Sequence, residues 1–431
     1  MTRRLAKFLS DPAPSRRILA LDGGGVRGFL TIEILHRLEA ELRRRSGDPN
    51  YVLSQYFDLI GGTSTGSIIA TGLALGWPVS DVWAAYETIV PRIFGKASGV
   101  GLLSPRYKNK PLAEAFEQEF GDRALESPDL DTGLAIFAKR MDRGSAWMMV
   151  NNPNWVYYDN KFSDDRFAPN HSFKLRSIVQ ASAAAPHYFR GVKMKIENVA
   201  EKGKKPLDAH FVDGGVGGLN NPALELLTMV RDPAYGFGWQ LGADKLYVLS
   251  VGTGWIRSVS RAQGIIPRFI EGLFVKQTVN ALRGMINDVS LQQVAYLQGL
   301  GRTELPWYIN SEKEAQHGGG YLGLAGADGA AQPLFQYQRV DVRLEEEADR
   351  HGATLPETPS ALIGRPLSGS EVRGLDEITN AKPQNLDLLK ALGRAAGDRF
   401  IRLAPPPERF NPDPWTRTGD AAPAHSRKPA S

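Results

Sequence analysis

Apolar residues follow two rhythms along this chain. Arg17-Ile18-Leu19-Ala20-Leu21 is a largely unbroken apolar run, which suits a buried strand. Leu30, Ile34, Leu35, Leu38 and Leu42 then recur at helical spacing, with Arg37, Glu39, Glu41 and Arg43 to Arg45 interleaved, and Gly47-Asp48-Pro49 closes the helix. Between them lies Asp22-Gly23-Gly24-Gly25-Val26-Arg27-Gly28, so the glycines mark a strand-to-helix junction. The unit then repeats. Tyr56-Phe57-Asp58-Leu59-Ile60 predicts a short strand, Gly62-Thr63-Ser64-Thr65-Gly66 a turn, and Ser67-Ile68-Ile69-Ala70 the start of an apolar helix. Two strand–turn–helix units in succession predict an α/β fold with a parallel sheet flanked by helices.

The pattern weakens from Trp77 to Lys110. A helix is expected from Pro78 through Val90, a loop over 95–109, and a helix from Pro111 to Phe120. Gly133–Ala138 and Ala146–Val150 read as a neighbouring strand pair, and Lys174–Ala183 as a helix stopped by Pro186. His210-Phe211-Val212 is a short strand ending at Asp213-Gly214-Gly215, and Asn221-Pro222 starts a helix. Lys245–Val251 is another buried strand, Ile265–Leu300 a long helical stretch, and Arg339–Val342 a late strand. His351–Ser370 reads as a loop and Asn385–Phe400 as an amphipathic helix, while the Pro-rich tail from Pro405 is expected to be disordered. No internal repeat and no second domain stand out.

Composition changes this picture little. With 431 residues, 42% hydrophobic and 23% charged, the chain can build one large core. The net charge of +5 alternates in sign with no dense basic patch, so no nucleic-acid partner is expected; an anionic surface or ligand and a plain solvated exterior are both compatible with it. The absence of cysteine excludes disulfides, thiolate metal sites and a cysteine nucleophile. The basic start, Met1 to Leu9, is too short and interrupted for a secretory segment, and no apolar run reaches membrane-spanning length. These features predict a soluble, cytoplasmic protein.

The candidate chemistry centres on Ser64. Gly-x-Ser-x-Gly between a strand and a helix is a tight turn that projects the serine hydroxyl from the sheet edge, and Gly62 and Gly66 leave room for the backbone to fold around it. Gly23, Gly25 and Gly28 also fit the dinucleotide-binding fingerprint, but the acids that follow, Glu39 and Glu41, sit inside a helical pattern rather than at a second strand's end. A phosphate-binding P-loop would need a Lys-Ser/Thr pair that is missing. The run still offers backbone N–H groups at a helix N-terminus, a natural anion site; a tight turn without chemistry fits it equally. For acyl transfer the anion would be the tetrahedral oxyanion, with Arg27 securing the loop or adding charge. Of the seven histidines only His317, His351 and His425 follow Asp213, as an ordinary Ser-His-Asp hydrolase would require, and they fall in Gly-rich or Pro-rich loops or the tail. Asp213, at a strand end before two glycines, can serve as a direct base, although an Asx-turn aspartate fits the same residues.

Asp-Gly-Gly-Gly-x-Arg-Gly, Gly-Thr-Ser-Thr-Gly, Ala181 to Phe189 and Asp213-Gly214-Gly215, in that order, resemble the patatin-like phospholipase family. The resemblance implies a three-layer α/β/α domain with a central, mainly parallel sheet over residues 16–402. Its motifs fall in 17–255, after a lead-in of 1–15 and before a disordered tail of 403–431. It implies a Ser64–Asp213 dyad, an oxyanion hole from Gly23, Gly24 and Gly25, and supporting roles for Arg27, Gly28, Gly62, Gly66, Gly214 and Gly215. The implied mechanism is a two-step acyl transfer on membrane phospholipid or a related acyl lipid, with peripheral membrane contact and neither metal nor cofactor. Apolar residues around Trp77–Phe94 and Ile265–Ile286 could line an acyl groove or touch a bilayer, and simple helix packing fits them as well. Two other functions stay open: a membrane-degrading antiviral effector gated by a cyclic nucleotide, and a nucleotide-binding module with a silent serine.

Overall fold

The computed structural model describes residues 9, 13–94, 105–160, 167–197, 208–256, 271–310, 322, 324–325, 331–349 and 351–412. Its frame is an eight-stranded sheet. The strands are β1 (Arg16–Leu21), β2 (Leu59–Thr63), β3 (Gly133–Arg140), β4 (Ser145–Val150), β5 (Val192–Lys195), β6 (Asp208–Asp213), β7 (Leu246–Val251) and β10 (Gln336–Val340). Strands β8 (Leu324–Ala325) and β9 (Ala331–Gln332) form a separate two-stranded sheet. The main order is β10-β7-β1-β2-β3-β6-β5, with β4 paired to β3. From β10 to β3 every neighbour is parallel; β4 and β6 pair antiparallel with β3, and β5 pairs antiparallel with β6.

Helices cover both faces, which gives the α/β/α layering. Successive residues of β1 alternate between two cores: Leu19 and Leu21 join one, Ile18 and Ala20 the other. β7 does the same with Tyr247, Leu249 and Val251 against Leu246 and Val248. Side chains alternate across a strand, so burial of both faces produces the continuous apolar runs seen in the sequence. On the first face pack α1 (Gly28–Ser46), the short α2 (Leu53–Tyr56), α3 (Thr65–Ala74), α4 (Val79–Phe94), α5 (Asn109–Phe120), α6 (Leu175–Ser182) and α11 (Pro383–Leu403). On the second lie α7 (Ala223–Arg231) and the C-terminal part of α8 (Glu271–Leu300). No helix among the described residues is long and apolar enough to cross a membrane.

One detail of pairing positions the site. β3 pairs with β4 along one edge from Ala135 to Arg140. On its other edge β2 runs beside it only as far as Thr63, opposite Phe137. From Ala138 onward β6 takes over that edge from the opposite direction and ends at Asp213, opposite Ala138. Two strands that share one edge of β3 thus meet end to end. The residue after β2 is Ser64, and the last residue of β6 is Asp213.

Several elements differ from expectation. Tyr56 closes the short helix α2, and β2 instead runs through both glycines to Thr63, because Leu59 and Ile60 face the two buried cores and pairing with β1 and β3 on either side holds the glycines extended despite their weak strand preference. α4 continues past Val90 and carries Pro91 inside it. β5, a four-residue edge strand rich in lysine, gives no apolar run to read. The expected loop over 351–370 contains α9 (Pro359–Ile363), and α10 (Gly369–Asp376) follows from a capping box in which Ser368 and Glu371 satisfy each other's backbone. Of the tail, residues 405–412 are described and lie on the domain: Phe410 is buried, stacks on Tyr247, and its carbonyl accepts from Arg17. Expectations for 1–8, 95–104, 265–270, His317-Gly318-Gly319-Gly320 and 413–431 lie outside the described residues.

Candidate active site

The elbow is built as its sequence implies. Ser64 has φ 53° and ψ −121°, a left-handed backbone that costs a non-glycine residue of order 1–3 kcal/mol and that surrounding structure must enforce. The enforcement is steric and polar. A Cβ on Gly66 would lie 2.2 Å from the Leu21 carbonyl oxygen, and one on Gly62 would lie 2.1 Å from the Gly66 oxygen. The turn is therefore closed against itself and against the end of β1. The Ser64 amide donates to Ser182 Oγ at 2.9 Å, and Ser182 in turn donates to the Phe137 carbonyl at 2.6 Å. Ser182 belongs to the Ala181–Phe189 motif, so that motif's contribution is to pin the elbow to β3.

Asp213 faces the serine. It is 7% exposed, and its carboxylate accepts from the Ser64 hydroxyl and, at 2.8 Å, from the Gly215 amide. Burial, the largest influence, pushes its pKa up to about 6, against the pull of those two hydrogen bonds. Gly214 packs against the Phe137 carbonyl and lets the chain turn directly after the carboxylate.

The glycine loop lies beside Ser64. A Cβ on Gly23 would sit 3.0 Å from Ser64 Cβ. The loop's carbonyls are held outward: Thr253 Oγ1 donates to Gly23 O at 2.8 Å, Thr65 Oγ1 and the Tyr86 hydroxyl donate to Gly25 O, and the Arg27 amide donates to Gly24 O. In a trans peptide the N–H points opposite the carbonyl. The Gly24 amide is thus aimed away from Thr253, and the Gly25 amide away from Arg27. Neither has an acceptor among the described residues, whereas the Gly23 amide is committed to Asn220 O at 3.2 Å. Gly25 needs its glycine twice over: φ is +58°, and a Cβ would meet the Ile378 carbonyl at 2.2 Å. Gly28, the first residue of α1, abuts Thr65 and Tyr86. Below the loop Asp22 is gripped by Arg339 through two bonds of 3.0 and 2.6 Å, and the same guanidinium reaches Asp341 and Ser250.

Ser64, Asp213, Gly24 and Gly25 all line one cleft of about 350 Å³. Its walls include Ile89, Val90, Ile93 and Phe94 of α4 and Leu282 and Ile286 of α8, so both apolar stretches singled out in the sequence contribute. Arg27 also lines it. Its Nε is buried without a hydrogen-bond partner among the described residues, and burial together with nearby Arg283 lowers its pKa.

The comparisons agree with this architecture. The family described as Patatin-like phospholipase matches residues 19–227, from β1 through most of α7. Over that stretch the chain is similar to the patatin-like family. The chain is 30% identical over 245 residues to a cGAMP-activated phospholipase of Escherichia coli (strain TW11681), covering 56% of this chain and 62% of that protein. It is 26% identical over 247 residues to Patatin-17 of Solanum cardiophyllum, covering 55% and 60%, and 28% identical over 249 residues to Patatin group D-2 of Solanum tuberosum, with the same coverage. The chain thus spans about six-tenths of the length of the curated relatives it matches. Around the elbow, Ser182 lies in the Ala181–Phe189 motif with no part of its own assigned there, and Asn220, Thr253 and Arg339 lie in no motif. Only the small-residue run around Ser182 and the Gly252-Thr253-Gly254 turn after β7 hint at close packing there.

Proposed function

We propose that this protein is a serine acyl hydrolase that cleaves carboxylic esters of membrane phospholipids or related acyl lipids. One observation carries the reading: a serine on a strained elbow hydrogen-bonds a buried, proton-seeking carboxylate in an apolar cleft. Asp213 takes the Ser64 proton as Oγ attacks the ester carbonyl. The oxyanion is held by the amides of Gly24 and Gly25, to which the glycine loop's role narrows because the Gly23 amide is already bonded. Collapse of the intermediate returns the proton from Asp213 to the departing alcohol and leaves an acyl-serine. Asp213 then takes a proton from water as it attacks the acyl group, and collapse of that second intermediate returns the proton from Asp213 to Ser64 Oγ, which releases the fatty acid and restores the free serine. A carboxyl with a pKa of about 6 is ionised at neutral pH yet more basic than an ordinary aspartate, which suits it to this role. Lipid reaches the cleft by peripheral, transient membrane contact.

A lipid-panel hydrolysis assay tests the proposal. Ser64→Ala and Asp213→Ala are each expected to lose at least about 10³-fold in kcat, and Ser64→Ala to lose fluorophosphonate labelling. Near-full activity in Asp213→Ala would remove the dyad.

The likeness to a cGAMP-activated phospholipase supports a second reading, in which the same hydrolase is gated by a cyclic nucleotide. Hydrolysis that rises only when a cyclic dinucleotide is added would establish it; equal rates with and without would leave the constitutive enzyme.

A further inference from the structure

The cleft has an apolar arm, and one helix runs along it. Tyr86, Ile89, Val90, Ile93 and Phe94 of α4 all line the cleft; their i, i+3, i+4, i+7, i+8 spacing is a single helix face. The near end of that face is fixed by hydrogen bonding. The Tyr86 hydroxyl donates to Gly25 O and lies 3.5 Å from Thr65 Oγ1, so Tyr86 stands against the glycine loop and the elbow. The far end is closed by rings. Phe94 meets Tyr107 edge-on with centroids 5.5 Å apart and Phe189 at 6.1 Å, and Tyr107 and Phe189 are 5.7 Å apart. Phe189, like Phe94, lines the cleft, while Tyr107 is buried behind them.

The distance between the two ends sets a length. Eight residues of α-helix from Tyr86 to Phe94 advance about 12 Å. An extended hydrocarbon chain advances roughly 1.25 Å per carbon, given a C–C bond of about 1.5 Å and an angle near 111°. The arm therefore matches about ten carbons. We infer that the acyl chain of the substrate lies along this face of α4 and that Phe94 and Phe189 end its path. They are specificity-determining residues that favour acyl chains of about ten carbons over longer ones. This inference rests on the acyl-hydrolase reading of the cleft.

The test is a series of p-nitrophenyl esters from butanoate to hexadecanoate at monomeric concentrations. It is run on the parent, Phe94→Ala, Phe189→Ala and Ile89→Phe. In the parent, kcat/KM is expected to climb roughly fourfold per added carbon, break near decanoate, and then level or fall. Phe94→Ala and Phe189→Ala are expected to carry the climb past the break, raising hexadecanoate turnover tenfold or more. Ile89→Phe fills the arm only about 4.5 Å beyond Tyr86 and is expected to pull the break down to about four carbons, so that the climb beyond butanoate is lost, an outcome that does not depend on the alanine variants folding. A break at the same length in the parent and in every folded variant, or no break in the parent, overturns the inference. Labelling of Ser64 by a short fluorophosphonate separates the two levels. Intact labelling with an unmoved break refutes only the length selection, and lost labelling refutes the hydrolase itself.

Discussion

Replacing Asp213 by asparagine should make the protein inactive and, above about pH 6, more stable. The carboxylate is 7% exposed and, among the described residues, accepts only from the Ser64 hydroxyl and the Gly215 amide. Burial raises its pKa from 3.8 to about 6. The folded state therefore holds this proton more tightly than the unfolded chain does. Between those two values stability falls as pH rises, and above about pH 6 the folded protein carries an ionised group at a cost that vanishes below about pH 4. Roughly two pKa units at ~1.4 kcal/mol each put that cost at about 3 kcal/mol. Asparagine keeps an oxygen for the Gly215 amide and can donate to Ser64 Oγ, but it cannot ionise. Thermal unfolding of parent and Asp213→Asn across pH 4 to 8 measures the difference. The variant should melt about 3–4 °C higher near pH 8, for a domain of this size, and the gap should close toward about pH 4. Ester hydrolysis by the parent should gain activity as pH rises through about 6, since the base form is the ionised one. A variant no more stable than the parent at about pH 8, or a gap that ignores pH, would refute the reasoning.

Two further outcomes follow from contacts around the elbow. Ser182→Ala leaves the buried Ser64 amide without its acceptor, so unfolding should show a loss of about 1–3 kcal/mol, with kcat reduced more than KM is changed. Arg339→Met strips the counter-charge from Asp22 and Asp341, which should cost about 3–5 kcal/mol in denaturant unfolding near neutral pH. The loss should shrink as pH falls below about 6, where Asp22 takes up a proton and no longer needs the guanidinium.

Much of the site was legible because its constraints are local. A serine between glycines at a strand–helix junction announces a backbone that only small neighbours allow, and Gly66 against Leu21 O is that constraint in three dimensions. The glycine run before α1 likewise predicts amides at a helix start. Asp213 was less legible, because Asp-Gly-Gly is as good a turn as a catalytic strand end; its order among the motifs, not its own surroundings, raised it above a turn. The strands of the parallel half could be read because both their faces are buried, as Ile18 to Leu21 illustrate. Edge strand β5 could not, since Lys193 and Lys195 face outward and leave only two apolar positions.

Other features depend on pairings that no stretch of chain encodes alone. Asp213 meets Ser64 because β6 enters the edge of β3 that β2 has just left, a matter of register between strands some 150 residues apart in the chain. Arg339 holds Asp22 across 317 positions, and Asn220 withdraws the Gly23 amide from the oxyanion role that three adjacent glycines suggest. By itself the sequence determined which backbone positions must be tight and which residue to propose as nucleophile, because steric and periodic constraints act over a few residues. Only the tertiary structure decided which amides are left unpaired, how far burial raises the Asp213 pKa, and how long the apolar arm beside α4 can be. Those quantities depend on solvent exclusion and on neighbours brought from distant parts of the chain.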